Sequence, residues 1–191
     1  MKELLYVTGN NIKFRQASRV SEPFGITLQQ AKVDVHEIQA ETGEPIARDK
    51  AAKAFEILNK PLVVSDDNWM IPGLKNFPGP YMRYMNEWFS SEDWLRLTAS
   101  LKDRRVILQQ IVVYQDANGQ RAFSVDISGI LLYEIRGISP YPHATIMSFD
   151  GGKHSNAEYH EKGESASQHH HNVWRDFAEW YAKEHATAPA N

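Results

Sequence analysis

Two long β-rich runs, Arg105–Tyr114 and Arg121–Ile135, meet at "DANG", and this pair constrains the fold more than any other feature. An Asn-Gly turn between such runs is a hairpin signal, so the two strands lie antiparallel. Ahead of them the chain alternates. Glu3–Thr8 reads as a strand and Asn11–Ser21 as a helix capped by Asn10 or Asn11. Ile26–Val35 reads as a second strand, and a helix runs from about Pro45 to Leu58 with a proline near its first position. Leu62–Ser65 is a short apolar strand that ends on acids. Strand–helix–strand–helix order builds parallel pairs, and the hairpin adds antiparallel ones. The expectation is an α/β fold around a long mixed sheet flanked by helices. Ser91–Leu101 reads as a further helix, capped by Ser90 or Ser91. Asn172–Glu184 closes as an amphipathic helix with Val173, Trp174, Phe177, Trp180 and Tyr181 on one broad face. The stretches "GLKNFPGPYMRY" and 137–171 read mostly as loop.

At 191 residues one domain, 1–191, is the expectation, with room for two lobes. Apolar residues make up 42% and charged residues 24%, as in ordinary globular proteins. A net charge of −3 offers no broad basic field, so nucleic acid is not an expected partner. There is no cysteine, which excludes a disulfide scaffold, thiolate metal sites and thiol catalysis. No apolar run approaches the roughly 18 residues a membrane span requires, and no leader precedes the first strand. A cytoplasmic chain with no membrane partner is expected.

The turn in "LLYVTGNNIKFRQ" can be read in two ways. It is an ordinary strand-to-helix connection, or it is a cradle for an anion. Backbone N–H groups, the Thr8 hydroxyl, Gly9 and Asn10 stand at a helix N-terminus, where the dipole favours negative charge. Lys13 lies about one turn inside and can reach back as a point charge. The spacing is not that of a Walker loop.

"VVSDDNW" places Asp66 and Asp67 at the expected C-terminal end of an apolar strand, where open α/β sheets bind ligands. Adjacent carboxylates repel, so a site that keeps both ionised holds a cation. Mg²⁺ suits them, since it takes oxygen ligands and bridges to substrate phosphates. The plain alternative is one acid capping a turn and the other solvated. Glu41 and Glu44 precede the second helix, where acids also serve as routine dipole complements. Arg83 ends a Pro-Gly loop and can pair with a phosphate or lie along the surface.

In order and spacing, "VTGNNIKFRQ", "ETGEPIARDKAAKA", "VVSDDNWMIPGLKNFPGPYMRY" and "AEYHEKGESAS" resemble the Ham1 family of purine nucleoside triphosphate pyrophosphatases, also called inosine triphosphate pyrophosphatases. The resemblance implies a two-lobed α/β fold with the active cleft between the lobes, Mg²⁺ dependence and a homodimer. It implies hydrolysis of ITP, dITP or XTP to the monophosphate and pyrophosphate, a nucleotide-pool house-cleaning activity. Carried over by motif position, Thr8, Gly9, Asn10 and Lys13 hold the triphosphate, and Lys53 and Arg83 line the phosphate path. Glu41 binds Mg²⁺ with the acid pair, and Asp67 accepts the proton or joins the metal, with Asp66 beside it. Lys162 matches the lysine of the family's E-K-N-x-x-S-H-R segment.

The chain also departs from the pattern. The acid pair normally continues Ser-Gly-Leu, and here Asn68-Trp69-Met70 follows, so the local turn is expected to differ. The family's aromatic-Asp-Pro base-recognition element, expected just before Phe149, has no counterpart in "HATIMSF". The family's Ser-His-Arg aligns with Ser167-Gln168-His169, without the arginine. His169 and His170 are candidates for base-edge or phosphate contacts, against a solvated-surface alternative. The triphosphate half is retained and the purine half rebuilt. A divergent nucleotide-binding protein, or a pyrophosphatase with a changed base preference, is the other reading.

Overall fold

The computed structural model describes residues 2–164 and 170–185. Seven strands form one sheet in the order β2-β1-β3-β5-β6-β7, with β4 paired to β3. The mixed α/β class expected from the hairpin and the preceding alternation is what the chain adopts. In chain order the elements are β1 Lys2–Val7, α1 Asn11–Ser21, β2 Ile26–Ala31, α2 Gly43–Leu58, β3 Leu62–Ile71, β4 Phe77–Gly79, α3 Met82–Trp88, α4 Ser91–Thr98, β5 Arg105–Asp116, β6 Gly119–Leu131, β7 Met147–Ser148, α5 Asn156–Glu161 and α6 Val173–Glu184. β1 runs parallel to β2 and β3, and β3 runs antiparallel to β4. The turn between β5 and β6 is held by Asp116 Oδ1, which accepts from the Asn118 N–H at 2.8 Å.

The chain divides into two compact units: residues 1–66, 111–124 and 172–191, and residues 67–110 and 125–171. In the first unit α2 lies on one sheet face. Its Ala47, Ala51 and Ala54, spaced by a helical turn, pack on Val7, Leu62, Val64, Ile111 and Val113. Small side chains at that spacing let helix and sheet approach closely. The other face carries Tyr6, fully buried, against Phe14 of α1 and Trp174 of α6, with ring centroids 6.3 and 4.7 Å away. The apolar face expected of the last helix is used there, with Phe177 and Tyr181 buried.

The second unit packs around Trp94 of α4, fully buried among Ile71, Met82, Met85, Val106, Leu108, Ile127, Leu131, Ile146, Met147 and Phe149. A Cβ on Gly129 would fall 2.4 Å from the Ser148 carbonyl and 2.7 Å from the Phe149 ring, so only glycine lets that segment settle on β6. Several elements differ from the sequence expectation: β2 ends at Ala31 rather than Val35, α4 at Thr98 rather than Leu101, β6 at Leu131 rather than Ile135, and β4 and the start of α3 form in the 73–84 stretch read as loop. β3 does not stop at Ser65 but continues to Ile71, because β4 folds back on it and pairs Trp69 with Gly79. The 137–171 stretch contains α5, whose Ser155/Glu158 capping box was legible as S-x-x-E.

His143 lies in this second core, 4% exposed, with Nδ1 at 2.6 Å from Asn86 Oδ1. Burial, helped by the neighbouring His160 charge, pushes its pKa down to about 3. An unfolded imidazole titrates near about 6.5, so between those values the unfolded chain binds one more proton. Stability from this group is complete above the unfolded value and is lost as pH falls towards the folded one. In urea melts from pH 6.5 to 4, the wild type is expected to lose stability faster than His143→Gln, by about 1.4 kcal/mol per pH unit. Equal slopes would mean that this imidazole takes up its proton without unfolding.

Candidate functional site

The β1–α1 turn is built by its own polar groups. The Thr8 N–H donates to the Ala31 carbonyl at 3.0 Å, which continues the β1–β2 ladder one residue beyond the strand. The Thr8 hydroxyl oxygen accepts the Asn10 N–H at 3.1 Å. Asn10 Oδ1 accepts from the N–H groups of Ile12 at 2.8 Å and Lys13 at 3.1 Å, which makes Asn10 the N-cap of α1. Gln30 Nε2 staples the turn from β2, donating to the Thr8 carbonyl and to Asn11 Oδ1, both at 3.1 Å.

The groups this cap does not use are the Thr8 hydroxyl hydrogen, the Asn10 amide N–H₂ and the backbone N–H of Gly9 and Asn11. The first turn of α1 carries no acidic residue to balance its dipole. Gly9 is exposed, its φ lies outside the left-handed region, and a Cβ there would meet nothing within 4 Å. Neither strain nor crowding within the protein requires glycine at this position. Close approach of a ligand to the backbone does give glycine a use.

Glu41 stands exposed just before α2, whereas Glu44 is taken by Arg48, with N–O distances of 2.8 Å. Lys53 binds Asp49 at 2.7 Å and the His36 carbonyl at 2.9 Å, and Lys50 binds Glu37 at 2.7 Å. These lysines clip the 36–37 segment to α2. Asp66 and Asp67 lie inside β3 rather than at its end. Successive strand residues face opposite ways, so the two carboxylates divide between the faces instead of standing side by side. Among the described residues, no group of three or more His, Asp or Glu is arranged to hold a metal ion.

In the second unit, Arg83 lies exposed on α3 with Nε at 3.5 Å from Glu87. Lys162 is exposed, with Nζ 5.9 Å from the Tyr159 ring centre. Phe149 is 4% exposed, and its carbonyl is 2.7 Å from His170 Nε2, which donates to it. Ser167, Gln168 and His169 fall outside the described residues.

Sequence reasoning passed over Asp150. Its carboxylate accepts from the Ser148 hydroxyl at 2.9 Å, the His154 N–H at 3.0 Å, His154 Nδ1 at 2.8 Å and the Tyr159 hydroxyl at 2.9 Å. Burial works to raise this carboxyl. The bonds from the His154 backbone and ring, Ser148 and Tyr159 together outweigh it and hold the group well below the usual carboxylate range. The signal was available: Phe149-Asp150 is itself an aromatic-Asp step, one residue beyond the window in which that element was sought, with Gly151 where the pattern has proline.

A family model described as "Ham1 family" matches residues 4–180. The dITP/XTP pyrophosphatase of Methanopyrus kandleri is 28% identical over 180 residues, covering 94% of this chain and 96% of that protein. The dITP/XTP pyrophosphatase of Methanosarcina mazei is 29% identical over 182 residues, covering 95% and 98%. Among solved structures, the Staphylococcus aureus Ham1 protein superposes with a TM-score of 0.76 at 20% identity, covering 96% of this chain and all of that one. A Ham1 protein from Coxiella burnetii gives 0.76 at 17% identity. These two likenesses establish the fold.

The open space over Gly9 yields a direct test. Gly9→Ala is expected to leave thermal stability unchanged or raise it by up to about 1 kcal/mol, since a compatible Gly→Ala change restricts the unfolded chain. The same variant is expected to weaken binding of inorganic tripolyphosphate, read by calorimetry, by about tenfold or more, as the methyl group stands where the anion approaches the backbone. Unchanged binding would leave the turn a mere connection.

Proposed function

This chain belongs to the Ham1 family, and we propose that it is a divalent-metal-dependent nucleoside triphosphate pyrophosphatase that releases pyrophosphate from purine triphosphates of the ITP, dITP and XTP class. The observation that carries this reading is the capped, uncrowded β1–α1 turn, which offers hydrogen-bond donors and a helix dipole with no acidic residue in the helix's first turn. Relatives named dITP/XTP pyrophosphatase match along nearly the whole chain, which supports the substrate class.

In this reading Thr8, Gly9 and the amide of Asn10 face the triphosphate, and Lys13 neutralises its β- or γ-phosphate. Lys53 has a third ammonium hydrogen beyond those on Asp49 and the His36 carbonyl, and lends it to the phosphate path. Arg83 joins that path on leaving Glu87, an exposed pairing worth under about 1 kcal/mol. Lys162 and the Ser167–His170 segment serve the nucleoside end.

The metal is proposed to be Mg²⁺. It takes oxygen ligands, commonly one or two carboxylates completed by water and substrate phosphate, so a protein site of fewer than three acids fits it. Glu41 and Asp67 are the carboxylates assigned to it, and Asp66, expected in the same set, lies on the other face of β3 and cannot reach the same ion. When bound, it supplies charge neutralisation at the triphosphate. Asp67 orients a water and takes its proton as the water oxygen bonds to the α-phosphorus. The bond from that phosphorus to the bridging oxygen breaks, and pyrophosphate leaves. Most of the rate enhancement is orientation and electrostatics. Exposed Tyr81, just before α3, and Tyr84 and Trp88 on it offer an apolar surface for the homodimer that this reading includes.

Assay of pyrophosphate release from ITP, XTP, GTP and ATP with Mg²⁺ tests the reading. Release is expected from ITP or XTP and abolished by excess chelator, and release of orthophosphate alone would refute it. Asp67→Asn keeps the side chain's shape and removes its charge, so turnover is expected to fall to background while the thermal midpoint holds. Lys13→Ala is expected to cost about 2–4 kcal/mol of transition-state stabilisation, read as kcat/KM, the scale of losing one charged contact in a preorganised site. Binding of a monophosphate should change much less. Equal losses for both nucleotides would remove Lys13 from the outer phosphates.

A further inference from the structure

Trp69 stands where the family pattern has glycine, and the strand turns that exchange into a surface. β3 stays extended through this position, so Trp69 shares a face with Asp67, about 7 Å further along. Its cross-strand partner is Gly79, which brings no side chain into the row. The indole packs on His143 and Phe149, with ring centroids at 4.6 and 5.9 Å. Both of those rings are sealed, at 4% exposure each. Trp69 meets both rings edge-to-face and is only partly buried, so it is the open member of this aromatic cluster. A tryptophan used for packing alone looks different in this same unit: Trp94 is fully buried. Phe149 also carries His170 on its carbonyl, which brings an exposed imidazole to the same residue that Trp69 covers.

We propose that Trp69 is the stacking surface for the purine base of the substrate, which rests on the pyrophosphatase reading above. A phosphate attacked beside Asp67 and a base lying on Trp69 are one nucleoside apart on a single face of β3. Stacking on an indole holds any purine by its π-face and leaves the choice among purines to hydrogen bonds at the edge. We assign such a bond to the ring nitrogen of His170 that does not bind the Phe149 carbonyl. Phe149 itself presents no open face, so the aromatic contribution to the base falls to Trp69.

The test compares nucleotide with base-free anion. Trp69→Leu is expected to lower kcat/KM for ITP by about 10- to 100-fold, the effect of deleting one stacked aromatic. Trp69→Phe should retain most of the activity. Competitive inhibition by inorganic tripolyphosphate should stay within twofold in both variants. Saturating ITP should quench tryptophan emission in the wild type, and Trp69→Phe should lose that quench, which keeps the test decisive if Trp69→Leu does not fold. Equal weakening of ITP and tripolyphosphate, or a quench that survives in Trp69→Phe, would overturn the assignment. Failure of the wild type to release pyrophosphate from any nucleotide would instead sink the pyrophosphatase reading, and the quench would still report on Trp69.

Discussion

A β-strand turns successive side chains to opposite faces, and β3 is where this constraint organises the molecule. One row holds Val63, Ser65, Asp67, Trp69 and Ile71, and the other Leu62, Val64, Asp66, Asn68 and Met70. In the first row Ser65 meets the Tyr6 hydroxyl and Trp69 meets His143. In the second, Leu62 and Val64 lie against the alanines of α2. A four-residue polar run therefore sits inside a strand whose two ends are apolar on both faces. Its cost is visible at Asn68, which is 2% exposed, donates to Gln109 at 3.4 Å and leaves Oδ1 without a hydrogen-bond partner. Such a buried acceptor costs about 1–3 kcal/mol. Sequences keep conflicts of this kind mainly at functional positions.

In the β1–α1 turn and on α2, polar residues make internal bonds and keep further donor atoms. Asn10 gives its Oδ1 to the helix, worth about 1 kcal/mol as a cap, and keeps its amide hydrogens. Thr8 accepts the Asn10 N–H and keeps its own hydroxyl hydrogen. Lys53 secures the 36–37 segment through the His36 carbonyl and pairs with Asp49 on its own helix. A ligand binding here adds bonds to a turn already formed, and does not need to order it. That arrangement limits the entropy lost on binding.

Local signals decided what could be read from the sequence. The bounds of α1 followed from a capping residue next to an apolar period, and the β5–β6 hairpin from its turn residues. The acid pair was misplaced at a strand end because nothing local announces that β4 folds back; the pairing of Trp69 with Gly79 is a contact ten residues apart. The β1–α1 turn was legible as a capped helix start because its hydroxyl, glycine and cap lie within six residues. The i,i+4 spacing of Asp49 and Lys53 on α2 was legible, yet the bond from Lys53 to the His36 carbonyl emerges only when the 36–37 segment lies on α2. His143 reads as any histidine until its depth in the second core is known.

Asp150 is a carboxylate that the fold occupies for itself. With donors from Ser148, Tyr159 and both the backbone and ring of His154, its two oxygens are occupied by the protein. Gly151 and Gly152, both at positive φ, let the chain curl so that those donors converge. A purine presenting an N–H to this group would have to displace a bond already made inside the fold, and the exchange would bring little net energy. The carboxylate then serves the loop and fixes the segment that carries the Phe149 carbonyl to its place beside His170. On the proposed reading, the base contact falls instead to the partly exposed indole of Trp69, which packs on Phe149, the residue before this carboxylate.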